Sequence, residues 1–378
     1  MPKLKLCFFI DALGWEVLSA HAPFLTKELP YRKPLETIFG YSSACDPSII
    51  SGRLPYQTGH FSSFYYAPSS SPFAWAWWLR FLPKCVTDRA RVRHHLSKWI
   101  ASRSGIRGYF QVYQMPFRYL SLFDWAEKKR LWQKGGLVAG RSIFDELTER
   151  SIPYYVGDLD AEAVQLETVE QKLKEKSISF AYILFGKLDA LMHMEGPQSP
   201  KVQELLTSYE AKISKIIEIA KQNYDDIDIY CYSDHGMHEV KAGYDLQREI
   251  RKLGVTFGRD YVAVYDSTMA RFWYLNDKAE KKIEELLSRL DCGRILSRAE
   301  LEQFGTYFPD HKYGKTFFLM NSGVLIVPSF MTLKRIPGMH GYHPSDPDSK
   351  ACVMSNKMLP DDLDQIHKLY FLWKDLLC

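Results

Sequence analysis

Three short apolar runs along the chain each lead to an acid. Cys7-Phe8-Phe9-Ile10 runs into Asp11, and Ala181-Tyr182-Ile183-Leu184-Phe185 passes through Gly186-Lys187-Leu188 to Asp189. Ile227-Asp228-Ile229-Tyr230-Cys231-Tyr232-Ser233 leads into Asp234. Short apolar runs of this kind, set between helical stretches, are the pattern of parallel strands buried on both faces. Helices are predicted over 140–150, 164–176, 201–223 and 278–290, each charged along one face, and a last one over 361–377. The alternation predicts an α/β fold, a three-layer α/β/α sandwich around a mainly parallel central sheet. In such sheets ligands collect beyond the carboxyl ends of the strands, so the three acids are expected to converge on one crevice.

Residues 61–136 break this pattern. They are rich in Ser, Trp, Tyr and Arg, without strand–helix alternation, and are expected to form a helical insertion that covers the crevice within one catalytic domain spanning 1–378. Between Arg80 and Arg107 stand eight Lys and Arg residues and one acid, Asp88. The preceding stretch, Phe73-Ala-Trp75-Ala-Trp77-Trp78-Leu79-Arg80-Phe81-Leu82, is densely aromatic. One reading is a lid for a large, anionic, partly apolar substrate, or a peripheral contact with an anionic membrane. The plainer reading packs the tryptophans against the sheet and leaves the arginines solvated. A nucleic-acid partner is not expected, because no binding motif accompanies the basic run and the net charge of the chain is only +4.

With 46% hydrophobic and 25% charged residues, the 378-residue chain has the composition of a folded soluble protein. Its seven cysteines are odd in number and never spaced C-x-x-C, which argues against a disulfide framework or a thiolate zinc site and for a reducing, cytoplasmic setting. The apolar run 6–10 is too short for a signal peptide and ends at Asp11. No apolar stretch reaches the length of a membrane span.

The chemistry lies at the strand ends. In Asp189-Ala-Leu-Met-His193 a carboxylate and an imidazole stand four residues apart, so both face one ion from a helical turn or a strand-to-helix loop. Asp234-His235 adds an adjacent pair, followed by Gly236, which lets the backbone turn sharply. His340-Gly341-Tyr342 sets another imidazole in a Gly/Pro/His-rich loop. Singly, each is ordinary: D-x-x-x-H occurs by chance in many helices, and an Asp at a strand end often caps the next helix. Three acids and three histidines, all at strand ends or glycine turns, favour a metal site instead. Oxygen and imidazole donors without thiolate favour zinc over manganese or iron. A nucleophile is expected near a helix N-terminus facing the metals. The segment YSSACDPSIISGRLP (41–55) offers hydroxyls, then Pro47 suited to a helix start, then a short helix ending at Gly52. Taken alone, that segment reads as Ser-rich capping.

Together these segments resemble the nucleotide pyrophosphatase/phosphodiesterase branch of the alkaline phosphatase superfamily. In that branch an Asp follows the first strand, and a nucleophilic Thr or Ser stands ten residues before the Gly of S-x-x-[ST]-G-x-x-P. D-x-x-x-H, S-D-H-G-M and H-G-Y then follow in order. Here Asp11, then Ser42 with Ser48, Ser51, Gly52 and Pro55, match the first part. Asp189…His193, Ser233-Asp234-His235-Gly236-Met237 and His340-Gly341-Tyr342 match the rest. The match covers 3–59 and 140–344 but not the insertion.

The resemblance implies two divalent ions, one held by Asp189, His193 and His340, the other by Asp11, Asp234 and His235 with Ser42 touching it. It further implies that the metal-activated Ser42 attacks phosphorus and that water then hydrolyses the phosphoserine. Ser43 is the nearest rival nucleophile. Two departures matter. Ser63 stands where diesterases of the branch commonly carry an Asn for a non-bridging phosphate oxygen. Cys45-Asp46-Pro47-Ser48 continues with Ile49, not the Arg of the sulfatase C-x-P-S-R, and lies too close to Gly52, which sets a sulfatase aside. The implied reaction is hydrolysis of a phosphodiester or pyrophosphate bond in a small-molecule or lipid-linked ester. A phosphomonoesterase or phosphoryl-group transferase on the same site is one alternative. A catalytically silent metal-binding protein that holds a phosphorylated partner is the other.

Overall fold

The computed structural model describes residues 3–83, 87, 89–159 and 161–377. Its central sheet is built from β1 (Lys3–Ile10), β2 (Tyr31–Leu35), β3 (Tyr154–Val156), β4 (Phe180–Phe185), β5 (Asp226–Tyr232) and β6 (Ala351–Ser355). The spatial order is β2-β6-β5-β1-β4-β3. β1, β3, β4 and β5 run parallel, whereas β6 is antiparallel to both β5 and β2.

The side-chain period of two sends β1 to both faces. Cys7 and Phe9 join Tyr182, Leu184, Tyr230 and Tyr232 on one side, under the helices Ser42–Ser51 and Ile143–Glu149. Leu4, Leu6, Phe8 and Ile10 join Ile183, Phe185 and Cys231 on the other, under Glu162–Lys174, Lys187–Glu195 and Pro200–Asn223. Apolar residues on both faces demand a helical layer on each, and the three-layer α/β/α sandwich follows. No helix among the described residues is long and apolar enough to cross a membrane.

The register decides where the acids go. Ile10 pairs with Phe185 and Phe9 with Tyr232, so neighbouring strands end level with one another. Asp11, Asp189 and Asp234 therefore leave the sheet at one edge.

Two expected helices differ from observation. The stretch 361–377 forms two 3₁₀ turns, Ile366–Leu372 and Lys374–Leu377, on either side of the buried Trp373. Buried Lys5 takes the Leu372 carbonyl at 2.7 Å, and Leu376 N bonds Trp373 O instead. An α-helix would need Leu372 O for itself. The helix expected to start at Pro47 starts at Ser42, with Pro47 in its interior and Gly52 closing it in the left-handed conformation. Tyr41 O accepts from Ala44 N and Cys45 N, which begins the helix a turn before the proline.

Beyond β5 the chain also builds a second sheet. Tyr261–Tyr265, Met269–Tyr274, Thr316–Met320 and Gly293–Ile295 form a separate antiparallel sheet in that spatial order. Within 61–136, expected to be helical, Phe64–Tyr66 and Phe123–Trp125 pair as strands beside a 3₁₀ stretch, Ala74–Phe81, and a helix, Ala90–Arg103. Phe64, Phe73, Leu79, Ile100 and Trp125 share one core with Val262, Val264 and Phe272 of the antiparallel sheet.

Arg271 joins the two parts. Fully buried, it donates to Asp266 Oδ2 (2.9 Å), Ser62 Oγ (2.8 Å), Phe64 O (3.1 Å) and Tyr313 O (3.0 Å). Removing one member of such a pair leaves a buried charge uncompensated. Arg271→Ala is expected to lower the unfolding free energy by about 3–5 kcal/mol in urea titration, whereas Arg271→Met with Asp266→Asn should lose clearly less. Equal losses would show that the uncompensated Asp266 charge and the lost volume add nothing, and that the cost lies in the guanidinium's hydrogen bonds to Ser62, Phe64 and Tyr313.

Candidate active site

Each candidate ligand is placed by an element that ends at the crevice. Asp11 follows β1, and its neighbour Ala12 takes a positive φ of 63° that brings Ala12 N to Asp234 Oδ1 at 3.2 Å. Asp189 and His193 stand one turn apart on Lys187–Glu195, directly after β4. Asp234 and His235 follow β5, where Gly236 lets two segments cross. A Cβ at Gly236 would lie 2.1 Å from Asp348 O. His340 sits beside Gly341, whose φ of 87° and close approach to the Tyr41 ring likewise require glycine. Tyr41 OH contacts Thr268 Oγ1 at 2.8 Å, and Thr268 Oγ1 donates to Gly341 O at 2.8 Å, tying the start of the serine helix to the His340 loop.

These side chains converge. Ser42 Oγ lies 3.0 Å from His235 Nε2, which is 2.9 Å from Asp234 Oδ2 and 3.7 Å from Asp11 Oδ1. His235 Nδ1 lies 3.0 Å from Gly236 O; as the donor there it leaves the Nε2 lone pair facing Ser42 and the acids. Asp189 Oδ1 lies 3.2 Å from His193 Nε2 and 3.6 Å from His340 Nε2, and the His235 and His340 rings stack at 3.7 Å. Ligand atoms of Asp189, His193 and His340 all lie within 4.8 Å of one another, as do those of Asp11, Asp189 and His235. The first group is the trio that the sequence resemblance implied for one ion. In the second, Asp189 stands with Asp11 and His235, and Asp234 reaches the group through His235. Ser43 Oγ donates instead to Phe61 O at 3.3 Å. Ser62 and Ser63 both line the cavity, but Ser62 is committed to Arg271.

The electrostatics are those of a cation site. Burial, then Asp234, Asp189 and Asp46, push the Asp11 carboxyl well above the usual range. Burial opposes ionisation of Asp189 too, yet His193, His340 and His235 outweigh it and hold that carboxyl low. Burial lowers His193 and His235 less than their carboxylate neighbours raise them, whereas burial and then His235 push His340 down. Asp11 Oδ1, Asp189 Oδ1 and His340 Nδ1 are buried without a hydrogen bond. Carboxylate and imidazole donors left unsatisfied around a shared space fit a divalent ion.

Sequence reasoning missed two acids. Asp46 lies one turn beyond Ser42 on the same helix, its Oδ1 buried without a hydrogen bond, and burial, Asp234 and Glu127 raise its carboxyl. Its i+4 spacing from Ser42 was the available signal. Glu127 lines the outer part of the cavity. A third group, His238 with Asp346 and Asp348, lies apart from the serine, with His238 Nε2 2.9 Å from Ser349 Oγ. The cavity holds about 950 Å³. Its inner wall carries Asp11, Ser42, Asp46, Asp189, His193 and His340, and its outer wall Arg107, Tyr109, Tyr113, Glu127, Arg130 and Trp132.

Comparison with known proteins bears on the family and the fold. The family model described as type I phosphodiesterase / nucleotide pyrophosphatase matches residues 6–342. No curated protein sequence matches the chain. Murine ectonucleotide pyrophosphatase / phosphodiesterase 5 superimposes with a TM-score of 0.66 at 13% identity, covering 99% of this chain and 95% of its own. The human protein of that name gives 0.68 at 12% identity, covering 99% and 94%. An inactive murine variant in complex with AMP gives 0.67 at 13%, covering 100% and 95%. At these identities the superpositions establish a common fold.

Glu127 yields a test of the outer wall. Burial pushes its carboxyl up from 4.5 to about 7. Between those values the folded chain holds a proton that the unfolded chain has released, so stability falls as pH rises from about 4.5 to about 7. Glu127→Gln is expected to flatten that fall in urea unfolding of chelator-treated protein. Identical slopes for parent and variant would mean that Glu127 ionises as a solvated acid.

Proposed function

Because this chain belongs to the type I phosphodiesterase / nucleotide pyrophosphatase family and is therefore a hydrolase of phosphodiester-type bonds, we propose that Ser42 is its nucleophile. The observation that carries the assignment is the 3.0 Å approach of Ser42 Oγ to His235 Nε2, at the first residue of a helix facing the carboxylate–imidazole cluster. Asp189, His193 and His340 would hold one divalent ion, and Asp11, Asp234 and His235 the other. Such ions supply Lewis acidity, offsetting phosphate charge and easing deprotonation of a nearby hydroxyl. The donor set of carboxylates and imidazoles is best suited to zinc, with manganese next.

Ser42 attacks phosphorus in line, forming an Oγ–P bond as the bond to the leaving oxygen breaks. Water then opens the phosphoserine and restores the hydroxyl. The N–H groups of Ser42 and Ser43 belong to the first turn of the helix and have no acceptor within it, so they favour an anion in front of them. Ser63 offers one hydroxyl to a non-bridging oxygen. The leaving group lies against Tyr109, Tyr113, Trp132, Arg107 and Arg130, a wall suited to a large, partly aromatic or apolar and anionic ester. Nucleotide and lipid-linked diesters both meet that description.

The test compares bis-p-nitrophenyl phosphate with p-nitrophenyl phosphate, using zinc-loaded protein with and without chelator. Chelator-sensitive turnover favouring the diester is expected. Ser42→Ala should lower kcat by about a thousandfold or more while keeping the zinc content of the parent. Undiminished turnover in that variant would remove Ser42 from the role, and preference for the monoester would make the enzyme a phosphatase.

A further inference from the structure

We propose that the face formed by the 3₁₀ stretch Ala74–Phe81 and the helix Ala90–Arg103 docks peripherally on an anionic lipid bilayer. Four large aromatic side chains are exposed together there: Trp77 (53%), Trp78 (41%), Phe81 (68%) and Trp99 (43%). They touch one another, Trp77 with Phe81 and Trp78 with Trp99, each at 5.9 Å between ring centres. Single exposed apolar residues are normal, but a contiguous aromatic patch marks an interaction site.

The helix beside the patch is one-sided. Arg91, His94, His95, Lys98 and Ser102 share its exposed face, while Arg93, Ser97 and Ile100 are buried. It contains no acid, and Arg80, Arg89, Arg91, Lys98 and Arg103 form no ion pair among the described residues. An aromatic patch rimmed by cations is the chemistry that seats indole rings at the headgroup level and draws anionic lipid to it.

Ring geometry favours lipid over nucleic acid. Stacking of bases needs open ring faces. Here the rings meet edge-to-face, at 83° for Trp77–Phe81 and 69° for Trp78–Trp99, and Arg80 lies over both Trp77 (5.4 Å) and Phe81 (4.8 Å). The patch is also rigidly backed. Trp75 Nε1 donates to Ser104 Oγ at 3.2 Å, and Arg93 bonds the carbonyls of Tyr113 and Met115. The chain then runs from the helix into Arg107 and Tyr109 at the cavity wall, so a bilayer on this face lies beside the cavity.

The intact chain is mixed with vesicles of phosphatidylcholine alone and of phosphatidylcholine with phosphatidylserine, and the bound fraction is read by flotation at low and high salt. Binding to the serine-lipid vesicles only, weakened by salt, is expected. Trp77→Ser/Phe81→Ser and Arg91→Glu/Lys98→Glu should each lower partitioning by about tenfold or more, with circular dichroism and thermal melting unchanged. No binding by the parent, equal binding to both vesicles, or variants that bind like the parent would overturn the proposal. A parent that ignores vesicles but forms dimers dissolved by Trp77→Ser/Phe81→Ser would overturn it too, making the patch a contact between copies of this chain.

Discussion

Four carboxylates, Asp11, Asp46, Asp189 and Asp234, crowd one edge of the central sheet, and the geometry of the site follows from keeping them there. Burying one carboxylate is costly and burying several together costs more, because each raises the potential felt by the next. The chain accepts this because β1 is flanked in register by β4 and β5, so three strands deliver their following residues to one place. The imidazoles of His193, His235 and His340 are the protein's own partial answer, each packed against a carboxylate or another ring. A divalent cation would complete that answer, since it satisfies several oxygens at once. The glycines at 236 and 341 serve the same end: both let backbone approach where a Cβ would push ligands apart.

How much of this could be read from the sequence depended on how local each pattern was. The central strands were legible because each is a short apolar run followed by an acid. The antiparallel sheet was not, since YVAVY, MARFWY and TFFLM are short apolar runs of the same kind of composition as the central strands. A direction signal did exist. Only three residues, Asp266-Ser267-Thr268, separate Tyr265 from Met269, and a parallel connection needs a dozen or more. Asp46 was hidden for a different reason. Its i+4 relation to Ser42 has meaning only if the helix begins at Ser42, and Pro47 pointed to a later start. The last segment looked helical by composition, but Lys5 competes for the Leu372 carbonyl from 367 residues away in sequence, which no window of local sequence contains.

Arg271 shows how the two halves of the cavity became one. A lone arginine in an apolar strand announces a buried partner without naming it. Here it binds Asp266 in the short connection before its own strand, and Ser62 and Phe64 on the segment that diverges from the α/β pattern. That segment is therefore no loosely hung lid. It shares a core with the antiparallel sheet, and its strand pair is held by the same guanidinium.

The inner and outer walls of the cavity thus answer to different constraints. The inner wall is set by strand register: shifting β1 by one residue would exchange its two differently packed buried faces and part Lys5 from Asp228, so the ligand positions are fixed by the whole core. The outer wall rests on Arg271, on the short pair Phe64–Tyr66 with Phe123–Trp125, and on the backing of the basic helix. Arg93 links that helix directly to the wall, because the carbonyls it binds belong to Tyr113, which lines the cavity, and to Met115. The aromatic and basic face and this wall of the cavity are consequently two surfaces of one braced unit, whereas the carboxylates and imidazoles opposite are held by the central sheet and the elements that follow its strands.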